Sequence, residues 1–415
     1  MSGQHAASGS TASGSRWAVR SDQGERLRVL HCPWNIAGNP ATLAFFERML
    51  GCDSHSVSLR QVPYGFCADE VLLTPKLGPW GEEGRRLRLL RRALCDFDVV
   101  HFNFGQTILE YTTIPRLDFY GPRFESQNWL MLYRYLSWMA DLPLLRLLNK
   151  VIVMTYQGDD ARQGDYCRKN YEISPAAYVD YYTAESDAWK RRSIRRVARY
   201  ADRIYALNPD LLHVLPKTAR FLPYANVDPT AWIPTANTAN DVPVVLHAPS
   251  DRTVKGTNFL LQAVDRLKSE GIRFELMLVE NIEHNEARRL YERADLVVDQ
   301  LVTGWYGGFA VEAMCLGKPV VSYIRREDLT ALPSELVDDL PIIEATPATI
   351  AGVLRGLLTE RRGQLPELGR RARRFAEKWH DPRKVAAETV CDYQRLFAAR
   401  RRWGSTVAAK TARMA

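Results

Sequence analysis

The chain has 415 residues, 46% hydrophobic and 25% charged, with a formal net charge of +8. That length exceeds what one hydrophobic core serves, so two domains of ordinary size are expected. Its cysteines, Cys32, Cys52, Cys67, Cys95, Cys167, Cys315 and Cys391, are odd in number, scattered and never spaced CxxC, which argues for reduced thiols in a cytosolic compartment and against a zinc site.

Residues 1–25 are rich in Ser, Gly and Ala without a continuous apolar core and read as a disordered tail rather than a signal peptide. No run of about 18 apolar residues occurs, so no membrane-spanning helix is expected. Positive charge gathers at Arg85, Arg86, Arg88, Arg91 and Arg92, and again at Arg370, Arg371, Arg373, Arg374 and Arg400, Arg401, Arg402. Such clusters suit an anionic membrane surface or an anionic acceptor. No recognisable nucleic-acid module accompanies them, so nucleic acid is not an expected partner.

From residue 26 strand and helix signals alternate. Strands are predicted at 27–31, 55–59, 98–102, 151–155 and 203–207, with a Pro/Gly/Asn loop at 33–40 leading into a helix that ends near Gly51. Strands separated by helices imply an α/β fold with a parallel, doubly wound sheet. Residues 107–150 form an aromatic insertion containing Phe119, Tyr120, Phe124, Trp129, Tyr133, Tyr135 and Trp138; most of these rings suit packing, and a minority at a rim suit an acceptor cleft or lipid. Residues 229–241 lose periodicity and gather Pro, Thr and Asn, which marks a linker between a first domain at 26–228 and a second at 242–374.

The second series begins with a strand at 243–247 and the turn HAPSDRTVKG, which places Arg252 and Lys255 at a strand's carboxyl end. A helix over 259–267, a strand at 273–279 and a helix around 287–294 follow. The run 304–321, GWYGGFAVEAMCLGKPVV, lies between two β-branched segments, 295–301 and 318–324. Its helix, predicted at 309–316, opens at Gly307 and Gly308 and is stopped by Gly317. Glycines and the first helical N–H groups favour an anion there, and Arg252 with Lys255 would suit a diphosphate and its charge as a leaving group. Glu312 is a single carboxylate among apolar neighbours one turn into that helix, and a buried carboxylate needs hydrogen-bonding partners.

With Lys255-Gly256 and the EAMxxGKPVV run from Glu312 to Val321 in place, the chain resembles retaining glycosyltransferases of the GT-B fold, in the large family four. The resemblance extends to DVVHFNFG at 98–105, YQGDDAR at 156–162 and LNPDLLHVLP at 207–216. It implies two Rossmann-like domains whose parallel sheets face each other across a cleft, with C-terminal helices, 375–398, crossing back to the first domain and a basic tail at 399–415. It implies that Glu312 binds the donor ribose and that Arg252 and Lys255 hold the diphosphate. No metal is expected, because in this fold Arg and Lys neutralise the diphosphate. The family's arginine often lies about six residues before the lysine, but Arg252 lies three before it.

The family's usual second glutamate, eight residues before Glu312, is Gly304 here, so the main chain from Tyr306 through Gly307, Gly308 and Phe309 is expected to take over sugar contacts. The family's histidine after the 151 strand is replaced by Gln157, followed by Asp159 and Asp160; Asp160 with Arg162 is expected to order that loop through an ion pair. Asn35, Gly38 and Asn39 are expected on the acceptor or sugar side, with His101 and Asn103 on the same rim, and Glu280 near the base.

Together these readings imply a retaining hexosyltransferase acting in polysaccharide biosynthesis. The nucleoside diphosphate sugar is a co-substrate, not a cofactor, and the acceptor is a hydroxyl of a lipid-linked or cell-surface glycan. The expected location is cytoplasmic, peripheral on the inner face of the membrane. A nucleotide-sugar epimerase of the same fold and a non-catalytic transferase-like subunit are the alternatives.

Overall fold

The computed structural model describes residues 26–111, 129–234 and 241–412. Phe119, Tyr120 and Phe124 of the aromatic insertion, much of the linker and the N-terminal tail lie outside the described residues.

The first half builds a parallel sheet from β1 (Arg28–Cys32), β2 (Asp53–Ser58), β3 (Glu70–Val71), β4 (Val99–Asn103), β5 (Val151–Tyr156), β6 (Arg203–Ala206) and β7 (Arg220–Phe221). Its spatial order is β3-β2-β1-β4-β5-β6-β7. The second half builds another from β8 (Val244–His247), β9 (Glu275–Leu278), β10 (Leu296–Val298), β11 (Val320–Ser322) and β12 (Ile343–Glu344), in the order β12-β11-β10-β8-β9. All the strand pairs are parallel. The central strands β4 and β5 are buried along their whole length, as expected where helices cover both faces of a parallel sheet.

Chain order reverses between β1 and β4 in the first sheet and between β8 and β10 in the second. Beyond the carboxyl ends of such strand pairs doubly wound sheets leave a crevice for ligands. Topology alone therefore directs attention to the loops after β8 and β10, which carry Lys255 and Gly307.

The chain returns to the first domain through the helix Pro382–Ala412. Tyr393 and Thr389 on that helix donate to Glu47 Oε1 at 3.1 and 3.2 Å, and Tyr205 donates to Asp392 at 2.7 Å. Burial opposes the Glu47 charge, but His31 and the hydrogen bonds from His31, Ser54 and Tyr393 outweigh it and hold its pKa below the usual range. The basic residues expected in a separate tail continue this helix, and Arg400 is buried against Asp202. Arg86, from a basic cluster expected to suit an anionic surface or acceptor, is likewise buried, bound to Glu83 and to the carbonyls of Ile108 and Glu110. Trp232, from the expected linker, belongs to the core that joins the two halves.

Candidate active site at the β8/β10 switch point

After β8, Asp251 accepts hydrogen bonds from the backbone N–H groups of Thr253 and Val254 at 2.9 and 3.1 Å and so starts the one-turn helix Arg252–Lys255. His247, at the end of β8, donates from Nδ1 to the Val298 carbonyl at 2.8 Å and takes the Thr257 hydroxyl on Nε2 at 2.8 Å. Burial pushes its pKa down to about 4, so the turn is anchored by a neutral imidazole.

Lys255 Nζ reaches Asp299 Oδ1 at 2.9 Å and Gln300 Oε1 at 2.8 Å, and the Gly307 N–H donates to Asp299 Oδ2 at 2.6 Å. A cation, a buried carboxylate and a helix start thus form one chain. A Cβ at Gly307 would stand 3.0 Å from Lys255 Nζ, and one at Gly308 would stand 3.1 Å from Asn226 Nδ2. The glycine pair therefore serves the close approach of two side chains to the helix Gly308–Cys315. In the sequence Asp299 and Gln300 carry one signal, a carboxylate that ends a buried apolar strand.

Arg252 departs from expectation. Its side chain is 52% exposed and pairs with Glu280, and it makes no hydrogen bond or ion pair with Lys255, Asp299 or Gly307. Glu280, expected near the base, is the partner of this arginine at the end of β9. The two carboxylates Glu280 and Asp299 divide the two cations between them.

Glu312 is buried, and its Oε1 accepts from His284 Nε2 at 2.8 Å and from Asn226 Nδ2 at 3.4 Å. His284 opens the helix His284–Glu292, with its ring between Phe66, 4.4 Å between centroids, and Trp232, 5.6 Å. None of His284, Asn226 or Phe66 was legible as a site residue, because each comes from a different segment of the chain. Tyr306 and Phe309 turn inward: the Tyr306 hydroxyl meets His380 Nε2 at 2.9 Å, and the Phe309 ring packs on Tyr291. The Tyr306 side chain is therefore closed off, whereas the Phe309 ring stays partly exposed.

At Gly304, φ is +87°, and a Cβ would stand 2.6 Å from Arg325 Nη1. The space that a glutamate side chain would need is filled by a guanidinium, which also binds Asp328 at 2.9 Å, the Ile173 carbonyl at 2.8 Å and the face of Tyr171. Ile173 and Tyr171 belong to the first domain, so the departure at Gly304 accompanies an interdomain contact.

On the first-domain side, Asp160 accepts from the backbone N–H groups of Gln157 and Gly158. Burial raises its pKa to about 6 against the lowering effect of those bonds. Arg162 pairs instead with Asp159 and Asp210, both at 2.7 Å, which corrects the expected Asp160–Arg162 pair. Among the described residues, Gln157 Nε2 is buried and has no hydrogen-bond partner. The Tyr224 hydroxyl donates to Asn208 Oδ1 at 3.0 Å, and Asn208 in turn donates to the Gln157 carbonyl, which ties this loop to the segment after β7.

Other first-domain expectations are corrected. His101 is fully buried, bonded to Tyr393 at 2.6 Å and to Thr155 at 2.7 Å. Asn103 is buried too and donates to the His101 carbonyl. His101 sits under the returning helix, and neither residue lies on an open rim. Asn39 accepts from the Ala225 N–H at 2.7 Å. Asn35 donates to the carbonyls of Phe66 and Cys67, and a Cβ at Gly38 would stand 2.9 Å from the Phe66 ring. Asn35 and Gly38 support the segment that carries Phe66, and Asn39 supports the one at Ala225.

No family model matches the chain, and no curated protein matches it. Solved structures do resemble it. Sucrose-phosphate synthase from Thermosynechococcus elongatus aligns with a TM-score of 0.57 at 16% identity, over 90% of this chain and 100% of that one. The Anabaena protein HepE, solved in complex with UDP-glucose, aligns with a TM-score of 0.57 at 12% identity, over 88% of this chain and 100% of that one. The fold is that of GT-B glycosyltransferases. An alpha-glucosyltransferase in complex with UDP and DNA also has this GT-B fold, with a TM-score of 0.51 at 11% identity over 89% of this chain and 100% of that one. Identities this low speak for the GT-B architecture alone. Among the described residues no group of three or more His, Cys, Asp and Glu side chains gathers as a metal site, and no helix is long and apolar enough to cross a membrane.

Proposed function

We propose that the protein is an anomer-retaining hexosyltransferase that moves a hexose from a nucleoside diphosphate sugar to a hydroxyl of a lipid-linked or cell-surface glycan. The observation that carries this reading is the convergence of Lys255, Asp299 and Gly307 at the switch point, with Glu312 one turn further along the same helix. HepE, a protein of the same fold, was solved with UDP-glucose, which supports a nucleotide sugar as the donor.

In this reading the diphosphate takes the place that Asp299 holds at the Gly307 N–H and shares the Lys255 ammonium. Arg252 joins it by leaving Glu280. As the bond between the anomeric carbon and the diphosphate oxygen breaks, Lys255 and the helix start stabilise the charge that develops on that oxygen. The acceptor hydroxyl attacks from the same face and passes its proton to the departing diphosphate. Arg and Lys rather than a metal ion neutralise the diphosphate. Glu312 holds the ribose. Gln157, whose buried Nε2 has no partner among the described residues, offers a hydrogen bond to the transferred sugar or the acceptor.

Trp129, Leu136 and Leu147 are 72–80% exposed on the helices Trp129–Ser137 and Asp141–Leu147. Exposed large apolar side chains on a basic protein support an acceptor that resides at an anionic membrane surface. The test is to incubate the protein with nucleotide sugars and membrane-derived acceptor glycans, measure nucleoside diphosphate release and determine the anomeric configuration of the product. Acceptor-dependent release with retained configuration is expected. An isomerised nucleotide sugar without acceptor would indicate an epimerase, and no binding of any nucleoside diphosphate would indicate a non-catalytic subunit.

A further inference from the structure

Glu312 has two oxygens, and the structure treats them differently. Oε1 takes both hydrogen bonds, from His284 and from Asn226, whereas Oε2 receives none from any described residue. A glutamate side chain rotates about three bonds, and a single long contact, 3.4 Å from Asn226, does not fix it. The 2.8 Å bond from His284 does. His284 is itself fixed, because its ring is tilted between Phe66 and Trp232, and it remains 21% exposed at the side chain, on the edge of the site rather than sealed beneath it.

Phe66 does not belong to the second domain. It is carried by a first-domain arm that begins with the turn Pro63–Gly65. Asn35 holds the carbonyls of Phe66 and Cys67, and Gly38 leaves room for the Phe66 ring. The arm tip then reaches the second domain: Gly65, at φ +73°, lies so close to Glu283 that a Cβ would stand 2.9 Å from its Cγ, and Tyr64 donates to the Ser250 carbonyl at 3.4 Å. The residues around Gly65, Phe66 and His284 are therefore one cross-domain contact, placed beside the carboxylate that the transferase reading assigns to the ribose.

We infer that His284 is the positioning residue for Glu312 in nucleoside recognition, turning Oε2 toward the ribose hydroxyls, and that Phe66 closes this corner of the cleft by holding the His284 ring from the opposite domain. The inference rests on the transferase reading and deepens it. Recognition of the nucleoside and apposition of the two domains become one event, because the ring that orients Glu312 is held by both.

The test is calorimetric titration of the full-length protein with UDP, GDP, ADP and CDP, the 2′-deoxy form of each, and inorganic pyrophosphate. Wild type is expected to prefer the ribose form of its best nucleotide by about tenfold or more, the scale of a charged hydrogen bond. His284→Ala is expected to reduce that preference to about threefold or less while leaving pyrophosphate affinity unchanged. His284→Gln, whose amide can also donate to Oε1, is expected to recover much of the preference. Phe66→Ala is expected to weaken nucleotide binding without weakening pyrophosphate binding. Full ribose preference in His284→Ala, or equal loss of nucleotide and pyrophosphate binding, overturns the assignment of His284 while leaving the transferase reading in place. A wild type that binds none of the four nucleotides overturns both.

Discussion

The Lys255 ammonium and the Gly307 N–H, one from the turn after β8 and the other from the turn after β10, are joined through the two oxygens of Asp299, at 2.9 and 2.6 Å. A buried carboxylate thus occupies the place where an incoming phosphate would find its two strongest partners. On the transferase reading, Asp299 holds the site together and competes with the diphosphate for it.

Asp299→Asn keeps the shape and removes the competing charge. Pyrophosphate affinity is expected to rise by about tenfold, and thermal stability is expected to fall, because Lys255 loses its charged partner. Titration of the variant with pyrophosphate checks this, and unchanged or weaker affinity would count against an anion site at Gly307.

Gly369 sits where the helix Leu365–Trp379 crosses the turn that ends the Glu312 helix, and a Cβ there would stand 2.0 Å from the Gly317 carbonyl oxygen. The obstacle is backbone, so it cannot swing aside. Gly369→Ala is expected to cost about 2–4 kcal/mol of stability, read from urea unfolding. A loss below about 0.5 kcal/mol would show that the crossing is looser than described.

Acid should unfold the protein through its buried histidines. Burial lowers His247 and His380 to about 4, and His380 donates from Nδ1 to the Tyr224 carbonyl while accepting the Tyr306 hydroxyl on Nε2. The unfolded rings bind protons near pH 6.5, which the folded rings refuse until about pH 4. Their stabilising contribution is therefore complete above about pH 6.5 and lost as pH falls toward 4, by roughly 3 kcal/mol per ring. His380→Gln should shallow the loss of unfolding free energy over that window; an unchanged slope would remove His380 from the account.

Glu110 acts in the opposite sense. It is buried, accepts from the Trp34 indole N–H at 2.7 Å, and burial raises its pKa to about 8 despite Arg86. The folded state keeps a proton that the unfolded state releases, so the stabilising contribution is complete below about pH 4.5 and lost as pH rises through about 8. Glu110→Gln should therefore gain stability relative to wild type between pH 5 and 8, and denaturant melts at those two pH values would show no relative gain if the carboxyl were ionised throughout.

Much of the architecture was legible because buried parallel strands read as unbroken apolar runs: VIVMTY at β5 and LVV at β10 allow little else. The two-residue strands β3, β7 and β12 were not, since two residues carry no periodicity. Lys255 and the burial of Glu312 followed from glycines and local pattern. Their partners did not, because Asp299 is 44 residues from Lys255 and His284 is 28 from Glu312. Arg252 shows the limit from the other side: a turn fixes where a cation starts, but Glu280 decides where its guanidinium goes. Asn103 ends β4 as expected, but His101 lies in the middle of that strand, where Tyr393 of the returning helix covers it.

The central claim is tested most directly by titrating wild type, Lys255→Ala and Glu312→Ala with UDP, GDP, ADP and CDP. The account expects wild type to bind at least one of them, with affinity reduced by about tenfold or more in each variant, through the diphosphate for Lys255 and the ribose for Glu312. Wild-type affinity retained in both variants would contradict it.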